Sequence, residues 1–253
     1  MRGDRVFGPL AREYAAGRPG YPEALWVAIA GRRPASPALA IDLAAGTGAA
    51  TDGLLGLGGS VAAVEPSEPM RLEAARRLAG RSGWLGAAGG RAEAIPLISG
   101  TAGLVTVAQA FHWFDPGPAL DEIARVLVPG GLLAIFWNVV EEDPFVESVV
   151  ELVGAYNSGY GRPVTREMIP TPSALAEHTD FRVEPPALFS HARRMTADRY
   201  VEYARSWSYC GGALDEAGFA DFERDLRALI SRHHEDAPWE ERFQVAAHFA
   251  RRR

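Results

Sequence analysis

The chain has 253 residues, 47% of them hydrophobic, which is enough for one α/β domain with additions and a sizeable core. Its net charge of −6 argues against a general nucleic-acid binder, and no run of about 18 apolar residues is present to suggest a membrane-spanning helix. The N-terminal Met1-Arg-Gly-Asp-Arg lacks a secretory apolar region, and the single cysteine, Cys210, excludes an intrachain disulfide and reads as a small buried hydrophobe, so a cytoplasmic protein is expected.

In chain order, an opening segment carries Phe7, Tyr14, Arg18 and Tyr21, and Pro22 starts a helix that runs to about Ala30. The first strand follows a Pro34/Pro37 loop and ends at Leu43. A helix spans Thr51 to Leu57. Val61 to Val64 is the second strand, and Ser67 is placed to cap a helix that ends near Gly80. Trp84 to Ala88 and Gly103 to Ala108 are the third and fourth strands, the latter rich in β-branched residues. Leu120 to Leu127 is a short amphipathic helix, and Pro129-Gly130-Gly131 turns into a fifth strand, Leu132 to Trp137. This alternation predicts a parallel sheet with right-handed crossovers. Pro144 to Tyr156 reads as a helix within an insertion over 141–180. Phe181 to Ser190 returns to the sheet, and Thr196 caps a helix through Tyr200, Tyr203 and Trp207. Phe219, Phe222, Leu226, Leu229 and Ile230 share one face of a further helix, and Phe243 to Phe249 is the last strand.

The stretch Ile41-Asp42-Leu43-Ala44-Ala45-Gly46-Thr47-Gly48 carries the most chemical information. A strand ends in an acid and turns through two glycines, which let backbone approach a ligand closely. Glu65 follows 19 residues after Gly46, at the end of the second strand, where a carboxylate can accept from a ribose diol. A dinucleotide fingerprint wants a small residue at position 51, which is Thr51 here, and Asp42 would repel a pyrophosphate. The same anion suits a ligand with an ammonium group. S-adenosylmethionine has an ammonium, a sulfonium, a ribose and an adenine, and no phosphate. It is therefore favoured over NAD.

With these residues in place the chain resembles the class I S-adenosylmethionine-dependent methyltransferases, type-11 group. It is similar to a branch marked by Tyr14…Arg18-Pro19-Gly20-Tyr21-Pro22 and by Gln109-Ala110-Phe111-His112-Trp113-Phe114-Asp115. Asp42 to Gly48 resembles motif I of that family. Glu65-Pro66-Ser67 with Met70 resembles its second-strand acid, Arg91-Ala92-Glu93-Ala94-Ile95-Pro96 its adenine-side loop, and Val128-Pro-Gly-Gly131 the turn before its fifth strand. Gly103 and Ala49 depart from it, standing where an acidic and a basic residue are usual. The resemblance implies a Rossmann-like domain: a mostly parallel seven-stranded sheet flanked by helices, with a helical lid or cap. The segments expected are 1–37 covering the cofactor, 38–140 as the S-adenosylmethionine-binding core, 141–180 as a lid, and 181–253 as strands and a cap completing the same domain.

Tyr14, Arg18, Asp42, Ala44, Gly46, Gly48, Glu65, Pro66, Met70, Ala92, Glu93, Gln109 and Ala110 are the implied cofactor contacts. Arg18 would hold the methionine carboxylate, Asp42 and the glycines the methionine part, and Glu65 the ribose hydroxyls. Met70, Ala92 and Glu93 would meet adenine. His112 is the candidate general base, weighed against a histidine that fixes its loop by hydrogen bonds. Tyr21, Trp113, Trp137, Asn138, Tyr203 and Trp207 are the candidates for an acceptor pocket, with Trp113 and Phe114 otherwise expected to pack. The remaining histidines show no metal-ligand spacing, and no metal is expected. The reaction expected is methyl transfer to a small molecule, oxygen first, with a carboxylate or natural-product hydroxyl as acceptor and neither nucleic acid nor membrane as partner. Arginine supplies all 26 basic residues, a GC-rich bacterial signature. An NAD-dependent oxidoreductase and a non-catalytic S-adenosylmethionine-binding protein of the same fold are the alternatives.

Overall fold

The computed structural model describes residues 17–160, 173–207 and 209–253. Helix α1 (Glu23–Ala30) precedes β1 (Leu39–Leu43), α2 (Ala49–Gly56), β2 (Ser60–Val64), α3 (Glu68–Leu78), β3 (Trp84–Ala88) and β4 (Ala102–Ala108). A 3₁₀ turn (Phe111–Trp113) leads into α4 (Pro116–Val126) and β5 (Leu127–Val140). The chain continues through α5 (Pro144–Tyr156), α6 (Ser173–Glu177), β6 (Phe181–Val183), β7 (Ala187–Met195), α7 (Ala197–Arg205), α8 (Glu216–His234) and β8 (Trp239–Arg252).

The strands form one sheet in the order β3-β2-β1-β4-β5-β8-β6, with β7 paired to β8. β1 lies parallel to β2 and β4, β2 to β3, and β4 to β5, while β6 runs antiparallel to β8. The sheet has eight strands rather than the seven expected. The expected strand over 181–190 is two strands, because Pro185-Pro186 has no N–H groups to continue a ladder. β5 begins earlier than Leu132: Leu127 already pairs with Ala102, and the register shifts across Pro129-Gly130-Gly131, where Gly130 has φ +75°. Ser67 stands at the N-cap of α3 but makes no capping bond through its side chain, and the N2 residue there is Pro69, which has no N–H to offer.

The chain divides into two compact units. One comprises residues 20–138, 173–189 and 245–253, and the other comprises 17–19, 139–160, 190–207 and 209–244. In the first, Leu25 and Ile29 of α1, Leu54 and Leu55 of α2, and Leu78 of α3 pack on a sheet face formed by Ala40, Val61, Leu104, Leu132, Phe136, Val245 and Phe249. In the second, the α5 face Phe145/Val149/Val153 joins Tyr200, Val201 and Ala204 of α7 and the expected α8 stripe, Phe219, Phe222, Leu226, Leu229 and Ile230. Thr196 accepts from the Arg199 N–H and caps α7, as its position predicts. Cys210 is buried, and burial pushes its thiol up to about 12. No helix among the described residues is long and apolar enough to cross a membrane.

Candidate functional site

Strand order reverses beside β1: the chain leaves it for β2 on one side and reaches β4 on the other. In an open parallel sheet this reversal opens a crevice at the carboxyl ends of the two strands. The backbone is unusual at this place. Ala44, the first residue after β1, has φ +55°, and Gln109, the first after β4, has φ +59°. Both are non-glycine residues in the left-handed region, a conformation that costs energy and collects where function demands it. Gly46 and Gly48 follow with φ +56° and +82°.

Beneath the loop lies Asp42, with 0% of its surface exposed. Its Oδ2 accepts from the Thr51 hydroxyl at 2.6 Å and its Oδ1 from the Thr106 hydroxyl at 3.0 Å. One carboxylate thus ties β1 to α2 and to β4. Burial raises its pKa from 3.8 to about 6, against the opposing pull of the two hydroxyls. The carboxylate faces Thr51 and Thr106 rather than the open loop, which corrects the expectation that it projects toward a ligand. The cause is that Thr51, on the first turn of α2, and Thr106, paired beside Asp42 in β4, present donors directly to it.

Glu65 follows β2 and is 7% exposed. Its Oε2 accepts the Gly46 N–H at 2.9 Å and its Oε1 the Ser67 N–H at 2.9 Å. Arg71 donates through Nη1 to the carbonyls of Glu65 and Pro66, both at 2.7 Å, and so fixes the strand tip that carries the carboxylate. Beside it the Ser67 hydroxyl is buried with no hydrogen-bond partner among the described residues. A Cβ added to Gly46 would meet nothing within 4 Å, so space is open in front of this glycine. At Gly48 an added Cβ would come within 2.9 Å of Leu78 Cδ1, so this glycine admits close packing of α3. Met70 and Ala92 are buried, at 3% and 4% exposure.

The Gln109 N–H donates to Phe136 O at 2.9 Å, and its side-chain amide to Asn138 O at 3.3 Å. Asn138 in turn donates to Gly20 O at 3.0 Å. Ala110 is buried and precedes the 3₁₀ turn that carries His112 and Trp113. Trp113 is 58% exposed, against the expectation that it packs. His112 is exposed, and partial desolvation by the protein beside it lowers its pKa below the usual 6.5. Its ring lies 4.8 Å from that of Trp113. Among the described residues no hydrogen bond holds its ring.

Ala44, Gly46, Gly48, Glu65, Pro66, Met70, Ala92, Glu93, Gln109, Ala110 and His112 all belong to the sheet unit. Arg18 belongs to the other unit, partly buried and within electrostatic reach of Tyr203 and Tyr209, and Tyr14 lies outside the described residues. Two acceptor-pocket candidates are corrected. Trp137 is 1% exposed and packs edge-on to His248 with centroids 5.9 Å apart, and Trp207 is 5% exposed within the helical core. Tyr21 packs edge-on against Trp26 and Phe136, and Tyr203 lies under the Arg193 guanidinium at 4.2 Å. The other described histidines are also engaged: His178 with Asp121, His191 stacked on Phe243, and His234 stacked on Trp239. Sequence reasoning missed Thr51 and Thr106 as partners of Asp42, and Arg71 as the brace of β2. Their partners are 9, 64 and 5 or 6 residues away, and none of these spacings is a helical period.

The methyltransferase-domain family model, type 11, matches residues 41–135, which include the loop after β1, Glu65 and His112. An uncharacterized methyltransferase of Mycobacterium tuberculosis is 35% identical over 228 residues, covering 90% of this chain and 86% of that protein. Among solved structures, a protein of Anaeromyxobacter dehalogenans provisionally named a type II methyltransferase superposes with a TM-score of 0.71 at 24% identity, covering 92% of this chain and 97% of that one. The [4+2]-cyclase SpnF has the same fold, with a TM-score of 0.58 at 16% identity over 98% of this chain and 95% of that one.

Proposed function

The chain belongs to the class I S-adenosylmethionine-dependent methyltransferases, type-11 group, and from that premise we propose that it moves the methyl group of S-adenosylmethionine to an oxygen of a small-molecule acceptor. The observation that carries the proposal is the open space in front of Gly46, whose N–H the Glu65 carboxylate holds, at the edge where the sheet order reverses. The residues fit the cofactor. Glu65 accepts from the ribose diol, the 44–48 backbone faces the methionine part, and Met70 and Ala92 border the adenine. Asp42 acts from beneath, holding the loop through Thr51 and Thr106. Its buried anion also disfavours a pyrophosphate at this turn.

The sulfonium of the cofactor activates the methyl carbon for in-line displacement. What remains for the protein is to align the acceptor, exclude water and take a proton. Alignment contributes on the order of 7–11 kcal/mol in favourable cases. His112, unbonded and predominantly neutral at neutral pH, is the proton acceptor for a hydroxyl nucleophile. Isothermal calorimetry with S-adenosylhomocysteine tests the reading. Binding to the native chain is expected, with a loss of about tenfold or more in Glu65→Ala, in line with about 1.5–3 kcal/mol for a hydrogen bond to a charged group. No heat with either the methyl donor or its demethylated product ends the proposal.

A further inference from the structure

We propose that Glu93 is a positioning residue for His112, acting through the first backbone amide of α4. The inference rests on the reading of His112 as the proton acceptor. Glu93 departs from a tight turn closed by the Ala94 N–H on Arg91 O at 3.2 Å, with Ala92 and Ile95 buried on either side, each at 4% exposure. The next residues are bound to α4. The Ile95 N–H donates to Glu122 Oε2 at 2.8 Å, and Arg125 donates to Ile95 O at 2.8 Å and Leu97 O at 2.9 Å while pairing with Glu122 at 2.6 Å. The loop after β3 is thereby fixed on the helix, and the direction of the Glu93 side chain with it.

That side chain reaches the start of the same helix. Glu93 Oε1 accepts the Asp115 N–H at 3.0 Å. Asp115 is the N-cap of α4, and its own side chain makes no capping bond. A carboxylate at a helix N-terminus is favoured by the exposed amides and the helix dipole. Asp115 also ends the turn that carries His112. The other hydrogen bonds of this turn are internal, the Trp113 N–H to Ala110 O at 2.9 Å and the Phe114 N–H to Phe111 O at 3.2 Å, or run into the helix that follows, the Ala119 N–H to Asp115 O at 3.1 Å. Among the described residues, the bond that reaches the turn from a different loop is the one to Glu93. Among the described residues the His112 ring has no hydrogen bond, so the backbone of the turn and the neighbouring Trp113 ring set its place. Glu93 is therefore the link between the loop bordering the adenine and the seat of the base.

The test uses the full chain and NMR titration of the His112 ring, with near-ultraviolet circular dichroism alongside. Loss of the link lets the ring move into solvent, so Glu93→Ala raises the His112 pKa toward 6.5. Asp115→Pro deletes the amide donor at a residue whose φ of −76° already suits proline, and shifts the titration in the same direction. Glu93→Gln keeps an acceptor oxygen and leaves the titration unchanged. A near-ultraviolet circular dichroism spectrum matching that of the native chain reports that each variant folds. A simple charge effect has the opposite sign: removing an anion lowers a histidine pKa, equally in the alanine and glutamine variants. That pattern, or a His112 titration indifferent to Glu93→Ala and Asp115→Pro, overturns the proposal. Failure of the base reading shows separately, as unchanged methyl transfer in His112→Ala.

Discussion

Asp42 and His112 are both held away from their ordinary titration, and in opposite directions. Burial raises the Asp42 carboxyl to about 6, whereas desolvation lowers the His112 imidazole below 6.5. For Asp42 the sign is that of a group harder to ionise when folded. Its contribution favours the fold below 3.8 and is lost as pH rises through about 6. The shift from 3.8 to about 6 corresponds to roughly 3 kcal/mol. Asp42→Asn keeps the hydroxyl contacts without the charge, so it gains on the native chain as pH rises. Urea unfolding at about pH 5 and about pH 8 measures this, and an equal difference between the two proteins at both values refutes it. As the proposed base, His112 is active when neutral, so transfer rises with pH through a pKa below 6.5. His112→Ala loses this acid limb and slows by about 10²-fold or more, while cofactor binding persists.

At the scale of elements, the turn between β1 and α2 separates two kinds of glycine. Gly46 and Gly48 both have positive φ, so alanine at either strains the backbone by about 1–2 kcal/mol. They differ in what lies around them. Alanine at 48 also collides with Leu78 Cδ1 at 2.9 Å, whereas alanine at 46 meets nothing within 4 Å. Gly48→Ala is expected to lower the thermal midpoint more, and Gly46→Ala to weaken S-adenosylhomocysteine more for each degree of midpoint lost. Scanning calorimetry with ligand titration decides it; the reverse ranking contradicts the assignment of open space at Gly46 to the cofactor. In the helical unit, α8 buries Phe222 completely within an aromatic cluster. Truncating it to alanine costs about 3–5 kcal/mol.

At the scale of the whole molecule, a cofactor that binds only the folded chain must stabilise it. S-adenosylhomocysteine at about 100 times its Kd adds about 2.7 kcal/mol. A raised thermal midpoint in the native chain that falls to about half or less in Glu65→Ala is the expected result, and an equal rise in both dissociates Glu65 from the ligand. The SpnF cyclase has this fold at 16% identity, so architecture alone does not decide chemistry. The decision belongs to residues such as His112, whose ring has no structural bond among the described residues.

The parallel core was legible because each of its strands is a short apolar run bounded by glycine, proline or a capping residue, and these signals are local. The α8 stripe was legible for the same reason, since its period of 3.6 is written in consecutive residues. The acid–glycine–acid series was legible too, because the chemistry of a carboxylate and the freedom of a glycine do not depend on the neighbours. What only the tertiary structure decided is where each group points. Asp42 turned inward because Thr106, 64 residues away, came beside it, and Glu93 met Asp115 because two loops 22 residues apart were brought together by the sheet. Trp137 and Trp207 read as pocket walls until burial made them core. An aromatic ring has the same sequence signature in either place; only the packing around it distinguishes a wall from a filling.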